Sequence, residues 1–169
     1  MSKSNYILTA LFTLSVLTLH SQKIGYVNST QLLDQLTIMQ EANAELEAIQ
    51  KKYITDGEAK VKVLESEYRA YMQEANSGNL SQKQMAEKEA DLQKKRQEII
   101  DYDTKAKVSV DAQREAIFRP ILQQIDQVIQ AYGKENGYDY ILDSGMGHLL
   151  YKPEGEDLTG KIRAIVEQN

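Results

Sequence analysis

A chain of 169 residues has the length of one domain. Charged residues make up 27% of it and aromatics only 7%, with no tryptophan, which suits an elongated helical protein better than a thick globular core. The absence of cysteine excludes disulfides, thiolate metal sites, cysteine nucleophiles and a lipid-anchored lipoprotein start. The net charge of −5 leaves no basic stripe for nucleic acid.

The first residues read as a secretory signal. Lys3 gives a short basic start, and Tyr6 to Leu19 is an uncharged, mostly apolar run too short and too rich in Thr and Ser for a membrane span. Cleavage after Ser21 is expected, although Leu19 and Ser21 do not make an Ala-x-Ala pattern. An uncleaved anchor is the alternative. Removing residues 1–21 takes away Lys3 alone, so the mature chain is more acidic by one charge. No stable membrane insertion is expected after cleavage.

Lys23 to Val27 is a short strand of β-formers, and Asn28-Ser29-Thr30 caps a short helix over 31–36. Ile38 to Tyr132 then reads as two long helices folded on each other. Between Gly25 and Gly133 the only glycines are Gly57 and Gly78 and the only proline is Pro120. The rest is rich in residues that lose little freedom in a helix. The break is Ala75 to Asn79, where Asn and Gly tolerate left-handed backbone angles. Ser81 and Gln84 form a capping box after it, with Leu80 and Met85 spaced as a hydrophobic staple.

Folding about Gly78 sets Tyr71 against Met85, Leu64 against Leu92, Leu46 against Val110 and Met39 against Ile117. Glu89, Arg96 and Asp103 fall where a heptad seam wants apolar residues, so the seam is thin. Four-residue steps from Tyr53 through Gly57 to Val61 break the heptad and mark Gly57 as a candidate hinge; a static coiled coil is the other reading. Acids precede bases by four residues at Glu47/Lys51, Glu58/Lys62, Glu65/Arg69, Asp91/Lys95, Asp101/Lys105 and Asp103/Lys107.

Pro120 is expected to kink the returning helix near Ile117, where arm meets body. Gly133 and Gly137 bracket that helix's end. Tyr138 to Asp143 reads as a strand, Ser144 to Gly147 as a turn, His148 to Lys152 as a return strand ended by Pro153, and Leu158 to Glu167 as a helix capped by Asp157. The fold class is therefore α+β, mostly α. The expected divisions are a signal over 1–21, a body from 22–37 and 118–169, and an arm over 38–117 with its tip near 75–81. Three short strands cannot close a core alone, so the body should oligomerise. Ile24, Tyr26, Val27, Tyr140, Ile141, Leu142, Leu149 and Tyr151 are the expected contact residues.

The order of signal, Lys-Ile-Gly-Tyr-Val strand at 23–27, helical hairpin, Pro-interrupted return, Tyr-Asp-Tyr-Ile-Leu-Asp strand at 138–143 and closing Asp157-Leu158-Thr159 resembles the Skp (OmpH-like) family of periplasmic chaperones. The resemblance covers about Lys23 to Asn169. It implies a homotrimer whose strands assemble a small β-barrel body and whose helical arms enclose a cavity. Unfolded outer-membrane proteins would be held there in the periplasm, without ATP or any other cofactor. Well-known members are strongly basic, whereas this chain is acidic. Capture would then rest on apolar and aromatic contacts, with Tyr53, Tyr68, Tyr71, Met72 and Met85 as candidates. A Tyr/Met stripe at helical spacing is more often the hairpin seam itself.

Nothing in the sequence suggests an enzyme. His148 is the only histidine after the signal, and it reads as a surface strand or turn residue. There is no phosphate-cradling glycine loop and no metal-ligand spacing. A structural or adaptor coiled coil of the cell envelope is the competing function.

Overall fold

The computed structural model describes residues 22–147, 149–152 and 156–168. The signal read over 1–21, His148 and Pro153 lie outside the described residues. In chain order the elements are β1 (Ile24–Val27), α1 (Ser29–Gln35), α2 (Thr37–Asn76), α3 (Gln82–Glu135), β2 (Tyr140–Asp143) and α4 (Thr159–Val166). They divide into two compact units, one over 34–124 and one that joins the residues up to Leu33 to those from Ile125 onward.

The unit over 34–124 is the helical hairpin. The 40 residues of α2 span about 60 Å at the usual helical rise. The turn forms where Asn and Gly cluster. Gly78 takes φ +72°, and the amides of Ser77 and Gly78 reach back to the carbonyls of Gln73 and Ala75. The next helix opens on the capping box. The Gln84 amide donates to Ser81 Oγ at 3.3 Å, and the Ser81 amide donates to Gln84 Oε1 at 2.9 Å. α3 carries Pro120 in its interior.

Away from the tip Tyr102 packs against Tyr53, a pair that agrees with the expected register. Near the tip the bonded pairs are displaced. Tyr71 bonds Glu89, one turn beyond Met85, while Lys95 meets Glu67 and Lys88 meets Glu74. Side chains lean toward the N-terminus of their own helix, so long ones from antiparallel helices meet diagonally. Among the acid–base pairs along single helices, Glu65–Arg69, Asp91–Lys95 and Asp103–Lys107 close at 3.4, 2.9 and 2.7 Å.

In the other unit β1 is the centre. It pairs in parallel with β2, Ile24 opposite Tyr140 and Val27 opposite Asp143. On its other side the Tyr26 amide donates to the Glu156 carbonyl and the Leu158 amide to the Tyr26 carbonyl, with a parallel bridge between Tyr26 and Asp157. The chain thus lays residues 156–158 alongside β1 and turns straight into α4. Leu158, Ile162 and Val166 are buried there, with Thr159. Val166, rather than Ile165, completes that buried face. α3 ends in a Schellman turn in which the Tyr138 amide bonds the Gly133 carbonyl and Gly137 takes φ +65°.

The return strand expected over His148 to Lys152 does not form in its described part, Leu149–Lys152. The preceding turn explains this. The Ser144 amide donates to the Val27 carbonyl, and Thr30 Oγ1 donates to the Gly145 carbonyl. The Asp143 carboxylate accepts from the amides of Ser29 and Gly145 and from Ser29 Oγ. These bonds tie residues 144–145 to the start of α1, so the turn does not double back along β2.

Two glycines permit close approach in this unit. A Cβ at Gly25 would lie 2.6 Å from Leu158 Cδ1 and 3.0 Å from the Tyr138 ring. Leu158 is fully buried and cannot give way. A Cβ at Gly133 would lie 3.1 Å from Ile141 Cδ1. In the hairpin, a Cβ at Gly57 would make only an ordinary 3.6 Å contact with Tyr102. Gly25→Ala should therefore lower unfolding free energy by about 1–3 kcal/mol in urea titration. Gly57→Ala, inside a helix, should raise it by about 0.5–1 kcal/mol.

Candidate functional site

Two antiparallel helices cover only one seam of each other, and clefts lined with apolar side chains remain along the hairpin. The larger, about 740 Å³, is bordered by Tyr53, Ile54, Gly57, Ile99, Tyr102 and Val110. The ring centroids of Tyr53 and Tyr102 are 6.3 Å apart and tilted by 51°. With no side chain at Gly57, the Tyr102 ring rests against the α2 backbone. A second cleft of about 580 Å³ continues toward the tip past Val61, with Leu64, Tyr68, Tyr71, Met72 and Leu92 on its walls. At the rim Ile54 is 62% exposed, Tyr68 53% and Met72 39%.

The five expected contact residues separate into two groups. Tyr71 is buried, its hydroxyl donating to Glu89 Oε1 at 2.5 Å, and Tyr53 and Met85 are half-buried. These three carry the features of the hairpin seam. Tyr68 and Met72 stand exposed at the cleft rim. Glu89, which reads in the sequence as a defect in the seam, is the acceptor that holds Tyr71. Tyr102 was not singled out by its sequence, although the register that faces Leu64 with Leu92 also brings Tyr102 to Tyr53.

Electrostatics favour the protonated states of these links. The hydrogen bond to Glu89 raises the Tyr71 pKa, with burial and the charge of Glu89 adding to it. Burial raises Tyr102, with help from Asp56. Hydrogen bonds to Glu67 and Asp91 raise Lys95, against some opposing burial. In the other unit burial raises Tyr138, aided by the Glu156 charge. Burial disfavours the Asp157 carboxylate, but hydrogen bonds from Thr159 and the nearby Lys152 outweigh it and hold its pKa low.

The residues expected at an oligomer contact also divide. Tyr26 and Val27 are buried within their own unit, and Ile141 packs toward Gly133. Ile24, Tyr140, Leu142 and Tyr151 are exposed, Tyr151 by 82%, and Leu149 is half-buried. Among the described residues β2 has a strand neighbour on one side only. Lys152 sits 4.1 Å from the Tyr26 ring centroid and 3.4 Å from Asp157, which fixes the chain just after the exposed Leu150-Tyr151 pair. Among the described residues no group of three or more His, Asp or Glu could hold a metal ion. No described helix is long and apolar enough to cross a membrane.

The profile of the OmpH-like family, described as outer membrane protein (OmpH-like), matches residues 23–165. This chain belongs to the OmpH-like family. The crystal structure of an OmpH-like protein of Caulobacter crescentus CB15, proposed to be an outer membrane chaperone, has the same fold. Its TM-score is 0.78 at 15% sequence identity, covering 88% of this chain and 85% of that one. None of the curated proteins matches this chain. The OmpH-like fold accounts for the combination seen here, a long helical hairpin and a small sheet in one chain.

The Tyr71–Glu89 and Lys95–Glu67 links have a definite pH signature. Both donors have raised pKa values in the folded chain. Their stabilisation is therefore fully present below the ordinary values of 10.0 and 10.5 and is lost as pH rises through the folded ones. The melting temperature followed by helical circular dichroism should fall above about pH 10. Tyr71→Phe should lower it by about 2–4 °C at neutral pH and flatten the alkaline fall.

Proposed function

We propose that this protein is an ATP-independent holdase of the periplasm that captures unfolded outer-membrane proteins and keeps them from aggregating. The observation that carries this reading is membership of the OmpH-like family over residues 23–165. Two features of the hairpin support it. The apolar clefts are open rather than filled, and their rims carry Tyr68 and Met72, side chains that adapt to many partners. Many weak contacts of this kind raise the local concentration of binding groups around an unfolded chain and let it leave without an energy source.

The working form in this proposal is a homotrimer, with clients held between the hairpins of three copies. The exposed Ile24, Tyr140, Leu142 and Tyr151 beside the one-sided β2 are the surface it would use. The acidic balance of the chain argues for apolar rather than electrostatic recognition. Gly57 is the proposed point of bending. It lies within continuous α2, and a Cβ there would make only an ordinary 3.6 Å contact with the Tyr102 ring. A structural coiled coil of the envelope is the competing reading. It would want an unbroken apolar seam, whereas Glu89 here serves a polar one.

Clients denatured in urea should elute with the protein in size-exclusion chromatography, and the same clients when folded should not. Tyr68→Ala with Met72→Ala should leave stability within about 0.5 kcal/mol and weaken capture roughly threefold or more. Capture unchanged by this pair of substitutions would place the client elsewhere. Gly57→Leu should narrow the range of client sizes retained; equal retention of large and small clients would remove the hinge from the proposal.

A further inference from the structure

The two helices of the hairpin are fastened differently along their length. Toward the tip, Lys88 Nζ lies 2.7 Å from Glu74 Oε2 across the seam. Two turns further, Lys95 Nζ lies 2.7 Å from both Glu67 carboxylate oxygens and 2.9 Å from Asp91 of its own helix. Glu67 and Glu74 are seven residues apart, as are Lys88 and Lys95, so the two links stack along one side of the tip. Among the described residues these are the cross-helix ion pairs of the hairpin, and both lie on the tip side of Gly57. Beyond Lys95 the links give way to a cleft of about 480 Å³ lined by Lys60, Val63 and Ile99. Further from the tip the helices are joined through Tyr53 and Tyr102, with Lys60 Nζ 5.1 Å from the Tyr102 ring centroid.

Exposed ion pairs along one helix contribute little to holding two helices together. Lys107 and Asp103 are such a pair, 73% and 64% exposed. Lys95 and Glu67 are more covered, at 34% and 36%, and Lys88 and Glu74 stand between, at 43% and 47%. The apolar seam beside them is thin, since Leu64 and Leu92 are only half-buried. A polar fastening therefore carries an unusual share of the contact in this half.

The geometry points to an ionic clamp, formed by Glu67–Lys95 and Glu74–Lys88, that holds the tip half of the hairpin closed and makes its opening depend on ionic strength. The half beyond Gly57, held by aromatic and aliphatic contacts, has no such dependence. Salt shortens the reach of a charge from about 10 Å at 0.1 M to about 3 Å at 1 M, so screening loosens one half selectively. A client site whose walls include Tyr68, Met72 and Leu92 would widen with it. The clamp itself is a property of the hairpin and stands whether or not the holdase reading does.

Hydrogen exchange of the full chain, read by mass spectrometry at about 20 mM and about 1 M NaCl, tests it. Segments within 60–76 and 82–98 should exchange about three- to fivefold faster at the higher salt, and segments within 42–56 and 103–117 less than about 1.5-fold faster. Lys95→Met keeps the aliphatic stem and should remove most of the salt response in the tip half. Glu67→Gln, a milder change, should do the same at unchanged helical content. Lys107→Met should leave the response as it is. An equal salt response in both halves, or a full response retained by Lys95→Met and Glu67→Gln, would overturn the clamp.

Discussion

Two helices packed against each other bury one seam and leave most of each surface uncovered. This limit shapes the whole hairpin. Among the described residues, α2 and α3 are the two long helices of this unit, so its interior residues are few. Where α2 and α3 meet near the tip, the seam is closed as much by Tyr71–Glu89 and the Lys–Glu links as by leucine. Where they meet around Gly57, the Tyr102 ring lies 3.6 Å from where a Cβ would stand. Apolar clefts are the consequence of too few layers, and an open apolar cleft is what a binder of unfolded chains needs.

The smaller unit answers a different constraint. A four-residue strand is too short to stand alone, and β1 is held on both sides by parallel neighbours distant in sequence, β2 and the residues 156–158. Gly25 lets Leu158 and Tyr138 press onto its backbone, and Leu158 begins the helix that closes the core. What this arrangement leaves exposed, around Tyr140, Leu142 and Tyr151, is an edge that soluble proteins normally cover.

The parts legible in the sequence are the local ones. The tip turn at Gly78, the Ser81–Gln84 box and the Gly137 helix end each depend on residues within a few positions of one another. The register of the hairpin was also legible to within about one turn, because one short turn fixes it. The parallel pairing of β1 with β2 was not, since nothing near residue 24 records that residue 140 lies beside it. The return strand was expected from β-formers at Leu149 to Tyr151. The bonds of Asp143 to Ser29 and Gly145 redirect the chain, and the bond to Ser29 joins residues 114 positions apart. At the candidate site the apolar stripe was legible, but not its division into seam and rim. That division depends on which side chain finds a partner across the gap, as Tyr71 finds Glu89 and Tyr68 does not.

The central claim is that an open hairpin of this kind protects unfolded β-barrel proteins. The most direct measurement is light scattering. A urea-denatured outer-membrane β-barrel protein is diluted into buffer without nucleotide, with and without the chain from residue 22 onward. The account predicts that scattering is suppressed and that a soluble complex forms. Unchanged scattering at several-fold excess of a protein shown to be folded would contradict it and favour a structural coiled coil.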